Sequence, residues 1–113
     1  MKRQNTLIVT FIGLAVLAAA LTSASAATPK ENWDKTCSKC HGPDGKGDTK
    51  AGKMVEVKDF TDAKYQASLK DDTMFKSVKE GKQDGDKVKM KPAEGLTDDE
   101  IKALVSFVRA FKK

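Results

Sequence analysis

The chain has 113 residues, 33% of which are charged, and its formal net charge is +5 at pH 7. This length allows one domain. Basic and acidic side chains are interleaved along the chain, whereas a nucleic-acid-binding protein concentrates Lys and Arg in one patch beside stacking aromatics. The composition therefore excludes nucleic acid as a partner and is typical of a soluble, freely diffusing domain.

The first 26 residues have the layout of a secretory signal peptide. Lys2 and Arg3 precede an apolar run, residues 7–21, which ends in a small-residue cleavage pattern. The run spans about 15 residues, whereas a transmembrane helix needs roughly 20. We therefore expect residues 1–26 to be cleaved on export to the periplasm, with retention as an anchor as the alternative. Residues 27–113 then form the mature domain, without stable membrane insertion.

The mature domain is predicted to be all-α, with about four short helices and long loops. In the first helix Thr28 is the predicted N-cap, Pro29 takes the first helical position, and Glu31 completes a capping box. Gly42 begins a turn-rich loop that ends this helix. Residues 49–60 have no clear period, so no helix or strand is predicted there.

Before the last helix, the sequence predicts two more helices and a polar loop. Thr61 is the predicted cap of a short helix. Asp71 or Asp72 begins a firmer helix, which Gly81 ends. Residues 82–91 are predicted to form a polar loop, and no strand is predicted anywhere in the domain.

The last helix has the clearest signal. Thr97 is the predicted N-cap, and Glu100 completes a second capping box. Apolar residues then recur at helical spacing and predict one buried face: Ile101, Leu104, Val105, Val108 and Phe111. Short helices joined by loops of this length make a poor core by themselves, so a large apolar ligand at the centre is expected.

Cys37, Cys40 and His41 form a C-x-x-C-H run, the pattern of c-type haem attachment. Two thiols at this separation can bond to the two vinyl groups of one haem, and the adjacent histidine can ligate its iron. A thioredoxin-like pair would need a strand–helix–strand context. Zinc would need a fourth ligand, and a disulfide would close almost no loop. The run therefore predicts one covalent haem c.

The chain has one histidine, so the second axial ligand of the iron is not a histidine. Met90 precedes the last helix and lies far enough from His41 in sequence for its loop to cross the opposite haem face. We predict Met90 as the second iron ligand. Met74 lies on a helix face where core packing is expected. The alternatives that remain are Met54, Lys89, Lys91 and an open site.

Several segments together carry a family resemblance: residues 37–42, 44–47, 78–81, 90 and 96–109. With these segments the mature chain resembles a small monohaem class I cytochrome c of bacterial type. The resemblance implies the cytochrome c fold, in which the first and last helices cross and help close the haem pocket. It also implies that Cys37, Cys40, His41 and Met90 bind the haem and its iron.

Iron held by one imidazole and one thioether has no open position and passes single electrons with little rearrangement. The expected function is that of a monomeric periplasmic electron carrier, not an enzyme, which exchanges electrons with redox partner proteins. Alternatives are a haem sensor or peroxidase-like protein with a displaceable sixth ligand, and a bound cytochrome subunit of an oxidase or dehydrogenase. Lysines near the expected haem edge would steer an acidic partner: Lys39, Lys50, Lys53, Lys87, Lys89 and Lys91.

Overall fold

The computed structural model describes residues 27–113. The predicted signal peptide, residues 1–26, lies outside the described residues. Within the described part the fold is mainly helical, as predicted, with one short hairpin. Between residues 27 and 113, no helix combines the length and the apolar character that crossing a membrane requires.

The first helix, α1, consists of three consecutive segments. Pro29–Asn32 is α-helical, Trp33–Cys37 is π-helical, and Ser38–His41 is α-helical again. Thr28 and Glu31 form both halves of the predicted capping box. The π segment has i→i+5 hydrogen bonds and is a rare feature that often lies at functional sites. The pattern of apolar residues in the sequence does not indicate this π segment.

A short helix, α2, spans Lys50–Met54, where the sequence has no clear period. The Thr49 side chain caps it by accepting from the backbone N–H of Gly52. The same hydroxyl donates to the carbonyl of Cys40 at 2.7 Å. Contacts between α2 and the end of α1 therefore stabilise a helix that local propensity does not predict.

The next helix, α3, spans Ala63–Ser68 and is capped by Asp62, so the predicted Thr61 cap is wrong. The Asp62 carboxylate accepts from the backbone N–H groups of Lys64 and Tyr65. The Thr61 hydroxyl donates instead to the Asp59 carboxylate at 2.6 Å. Aspartate takes the cap because a carboxylate oxygen can accept two N–H bonds at once.

Helix α4 spans Asp71–Glu80 and ends at Gly81 with a φ of 78°, as predicted. The predicted polar loop that follows is wrong, because the chain forms an antiparallel hairpin of β1, Lys82–Asp84, and β2, Lys87–Met90. A two-residue turn with Gly85 at positive φ joins the strands. The strands lack apolar alternation because most of their side chains are exposed.

The last helix, α5, spans Asp98–Arg109 and has the predicted capping box of Thr97 and Glu100. Glu100 also accepts a hydrogen bond of 3.0 Å from the Asn32 amide of α1, which fixes the crossing of the first and last helices. The buried face of α5 consists of Ile101, Leu104, Val105 and Val108, as predicted. Phe111, predicted on the same face, lies beyond the end of the helix and is half-buried.

Trp33 lies at the centre of the core, where its side chain is 2% exposed. Its ring centroid lies 5.0 Å from that of Phe111 and 5.6 Å from that of Phe107, both on the C-terminal part of the chain. The indole Nε1–H donates to the carbonyl of Gly42 at 3.0 Å. Trp33 therefore joins α1, α5 and the loop that follows the C-x-x-C-H run.

Candidate haem site

A cavity of about 990 Å³ lies between α1, α4, the hairpin and α5. Its volume falls at the upper end of the range for small-molecule and cofactor sites, roughly 300–1,000 Å³. All four residues predicted to bind haem line it: Cys37, Cys40, His41 and Met90. The three residues of the C-x-x-C-H run and Met90, which lies much later in the chain, therefore line the same cavity.

The two cysteines lie on the cavity wall and form no disulfide with each other; Cys37 is buried and Cys40 is half-buried. Burial raises the pKa of the Cys37 thiol to about 11. A sulfur in such surroundings is better suited to a neutral carbon–sulfur bond than to a thiolate–metal bond. No group of three or more His, Cys, Asp or Glu among residues 27–113 is arranged to hold a metal ion directly.

The imidazole of His41 is fixed by aromatic rings and lacks a polar partner among the described residues. Its centroid lies 5.0 Å from that of Phe60, in a stacked arrangement, and 5.7 Å from that of Trp33. Nδ1 is buried without a hydrogen-bond partner in this part of the chain. Burial, and then the positive charge of Lys82, lower the pKa of His41. Both effects favour the neutral imidazole, which is the form that ligates metals.

These observations fit a haem. The cavity is large, a buried imidazole nitrogen lacks a partner within the described chain, and two thiols and a thioether line the same space. Apolar side chains complete the lining, among them Val57, Phe60, Leu69, Leu104 and Val108. Sequence reasoning did not identify Val57 or Phe60, because residues 49–60 show no period that would mark an inner face.

The three methionines of the described residues differ in their relation to the cavity. Met90 lines it and is half-buried at the end of β2. Met74 also lines it, but it belongs to the buried core on α4, as expected. Met54 is 70% exposed and does not line the cavity. This arrangement favours Met90 over Met54.

The backbone of Met90 is held close to the end of α4. A Cβ added at Gly81 would lie 2.5 Å from the Met90 carbonyl oxygen and 2.9 Å from the Pro92 ring nitrogen. Downstream, the Ala93 N–H donates to the Val78 carbonyl at 2.8 Å. The chain on both sides of Met90 is thus fixed against α4, so the position of this methionine is set by packing.

Comparison with known proteins finds similarity to cytochromes. The family model for cytochrome c oxidase, cbb3-type, subunit III, matches residues 24–108. A solved structure of the KustC0563 c-type cytochrome is 35% identical, with a TM-score of 0.68 over 77% of this chain and 100% of that chain. A point mutant of Kustc0563 is 34% identical, with a TM-score of 0.65 over 76% and 100% of the two chains. No curated protein matches the chain.

The chain belongs to this cytochrome family. With its fold, it is a small class I c-type cytochrome. Members of this class carry covalently bound haem c, and the iron of that haem gives them their role in electron transfer.

Proposed function

We propose that the protein is a monomeric periplasmic electron carrier whose haem iron is held by His41 and Met90. Cys37 and Cys40 form the two thioether bonds to the haem vinyl groups. Residues 1–26 are the signal peptide that directs export, and residues 27–113 are the electron-carrying domain. The partners are redox proteins that donate and accept single electrons.

The observation that carries this proposal is that one cavity is lined by both cysteines, the histidine and a distant methionine. When bound there, haem supplies a one-electron iron centre. The protein's own residues orient and shield it: the stacked Phe60 fixes the plane of the His41 ring, and Leu104 and Val105 exclude water from one wall. An iron with both axial positions filled is poorly suited to oxygen or peroxide chemistry, which favours a carrier over an enzyme.

Replacing Met90 with alanine tests the axial ligand directly. The oxidised wild-type protein should have the weak long-wavelength band of methionine-ligated ferric haem, and Met90→Ala should lose it, because no sulfur then reaches the iron. Visible absorption of the purified haem-loaded protein measures this. Met54→Ala is the matched control and should keep the band, since Met54 is 70% exposed.

Persistence of the band in Met90→Ala would contradict the assignment, and its loss in Met54→Ala would identify Met54 as the ligand instead. A wild-type protein that lacks the band altogether would favour the sensor or peroxidase-like alternative, with an open or weakly held sixth position. Met74→Leu should also keep the band, since Met74 packs in the core and leucine preserves most of its volume.

Three of the predicted lysines line the cavity and give this face a positive charge together with two others: Lys39, Lys89 and Lys91, with Lys58 and Lys82. The other predicted lysines do not line it: Lys50, Lys53 and Lys87. We expect electron exchange with an acidic redox protein to slow about 10-fold or more as salt rises, because screening removes electrostatic steering. Stopped-flow rates over a salt series measure this. The rate with a neutral small-molecule reductant should stay flat, and a flat rate with the acidic protein would argue against charge-guided docking.

The description of the matching family favours a second candidate, a cytochrome subunit docked to an oxidase. Affinity purification of the tagged chain from its own membranes distinguishes the two. Recovery of a stoichiometric haem-containing oxidase would support the subunit, whereas recovery of the cytochrome alone in the periplasmic fraction would support the free carrier.

A further inference from the structure

We propose that the ion pair between Glu56 and Lys89 fastens the Met90 strand across the mouth of the cavity. Glu56 and Lys89 are then positioning residues, which act on the iron through Met90. The inference rests on the proposed role of Met90 as an axial ligand. Nothing in the family resemblance assigns a role to Glu56, and the sequence around it has no regular pattern.

The ion pair joins two walls of the cavity. Glu56 lies in the turn after α2, and Lys89 lies on β2, immediately before Met90. Lys89 Nζ lies 3.1 Å from Glu56 Oε2, across 33 residues of sequence. Both residues line the cavity. The pair therefore connects β2 to the turn after α2, a segment that is not paired with the hairpin as a strand.

An irregularity of the hairpin aims Lys89 toward this link. Lys82 pairs with Met90 and Gln83 pairs with Val88, so Lys89 is an extra residue on β2. In a regular strand, neighbouring side chains point to opposite faces. A bulge of this kind redirects a side chain. The extra residue is thus the one whose side chain reaches Glu56, and it directly precedes Met90.

Glu56 also has an unusual backbone. Its φ is 60°, and among the described residues it is the one non-glycine residue with positive φ. A side chain makes this conformation unfavourable, and such residues persist where surrounding contacts fix them. Here the conformation places the carboxylate at Lys89, whose hydrogen bond and charge lower the pKa of Glu56.

Lys89 is more buried than the basic partners of comparable surface pairs. Its side chain is 22% exposed, against 71% for Lys53, which pairs with Asp48 at 2.9 Å. The aliphatic part of Lys89 thus covers the cavity while its ammonium group reaches Glu56. The Asp48–Lys53 pair is a matched control, because it lies beside α2 and neither residue lines the cavity.

Imidazole competition in the ferric haem-loaded protein tests the proposal, because imidazole binds the iron only where Met90 has left it. Glu56→Gln and Lys89→Gln should each tighten apparent imidazole binding by about 2- to 5-fold, the range of an exposed ion pair. The double variant should tighten it no further than either single variant. Near about 1 M salt the difference from wild type should shrink, since screening weakens the pair.

Asp48→Asn should leave imidazole affinity unchanged, and the charge swap Glu56→Lys with Lys89→Glu should restore it toward wild type. Unchanged affinity in both single variants, or additive effects in the double variant, would overturn the inference while leaving Met90 as a ligand. Absence of the methionine–iron band in the wild-type protein would overturn the proposed function and this inference together. A purely structural role would lower the Tm without a salt-dependent change in imidazole affinity.

Discussion

Replacing Trp33 with alanine should lower the free energy of unfolding by about 3–5 kcal/mol, the usual cost of truncating a buried aromatic residue. The side chain is 2% exposed and packs against the rings of His41, Phe107 and Phe111. A small domain has only about 5–15 kcal/mol of stability in total. Denaturant unfolding of the haem-loaded protein, followed by visible absorption and circular dichroism, measures the loss.

Two control variants separate the packing of Trp33 from its hydrogen bond. Trp33→Phe keeps an aromatic ring but removes the Nε1–H that donates to the Gly42 carbonyl, and it should cost about 1–3 kcal/mol. Lys35→Ala, at an exposed residue of the same helix that does not line the cavity, should change stability by less than about 0.5 kcal/mol. A cost for Trp33→Ala no larger than that of Lys35→Ala would contradict the central position assigned to the indole.

Replacing Gly52 with alanine should destabilise the domain although the substitution lies inside a helix. Alanine gains about 1 kcal/mol of helix propensity over glycine. However, the added Cβ would lie 2.3 Å from the Cys40 carbonyl oxygen and 2.8 Å from Thr49 Oγ1. Neither atom can move freely, because the Thr49 hydroxyl donates to that same carbonyl at 2.7 Å. Overpacking of this kind costs about 1–3 kcal/mol, so steric strain exceeds the gain.

The Tm of Gly52→Ala should fall by several degrees, since about 1 kcal/mol shifts the Tm of a domain of this size by roughly 4–8 °C. Lys50→Ala is the control in the same helix. Its side chain is exposed, and its substitution should leave the Tm nearly unchanged. A higher Tm for Gly52→Ala would mean that α2 does not pack as closely on Cys40 as the structure has it.

Elements whose signals are local could be predicted from the sequence. The capping boxes at Thr28 and Thr97 depend on residues three positions apart, and both are confirmed. Helix α2 could not be predicted, because its stability comes from a contact between Gly52 and the end of α1. The hairpin could not be predicted either, because exposed strands give no apolar alternation.

The residues of the candidate site also differ in whether a local sequence signal identifies them. Cys37, Cys40 and His41 are neighbours in sequence, so their chemistry can be recognised without a structure. Met90 reaches the cavity only through the hairpin, and the prediction of its role came from eliminating other ligands and from the family resemblance. The position of Glu56 depends on a positive φ that glutamate rarely adopts, and no sequence pattern indicates it.

The π segment of α1 changes the direction in which the residues after it point. The N–H of Ser38 donates to the carbonyl of Trp33, five residues earlier. An α-helix turns by about 100° per residue, so one extra residue in a turn rotates everything that follows by roughly that angle. The segment therefore sets the rotational phase between two faces of one helix. Asn32, just before the segment, contacts α5, whereas Cys37 at its end and Cys40 beyond it line the cavity.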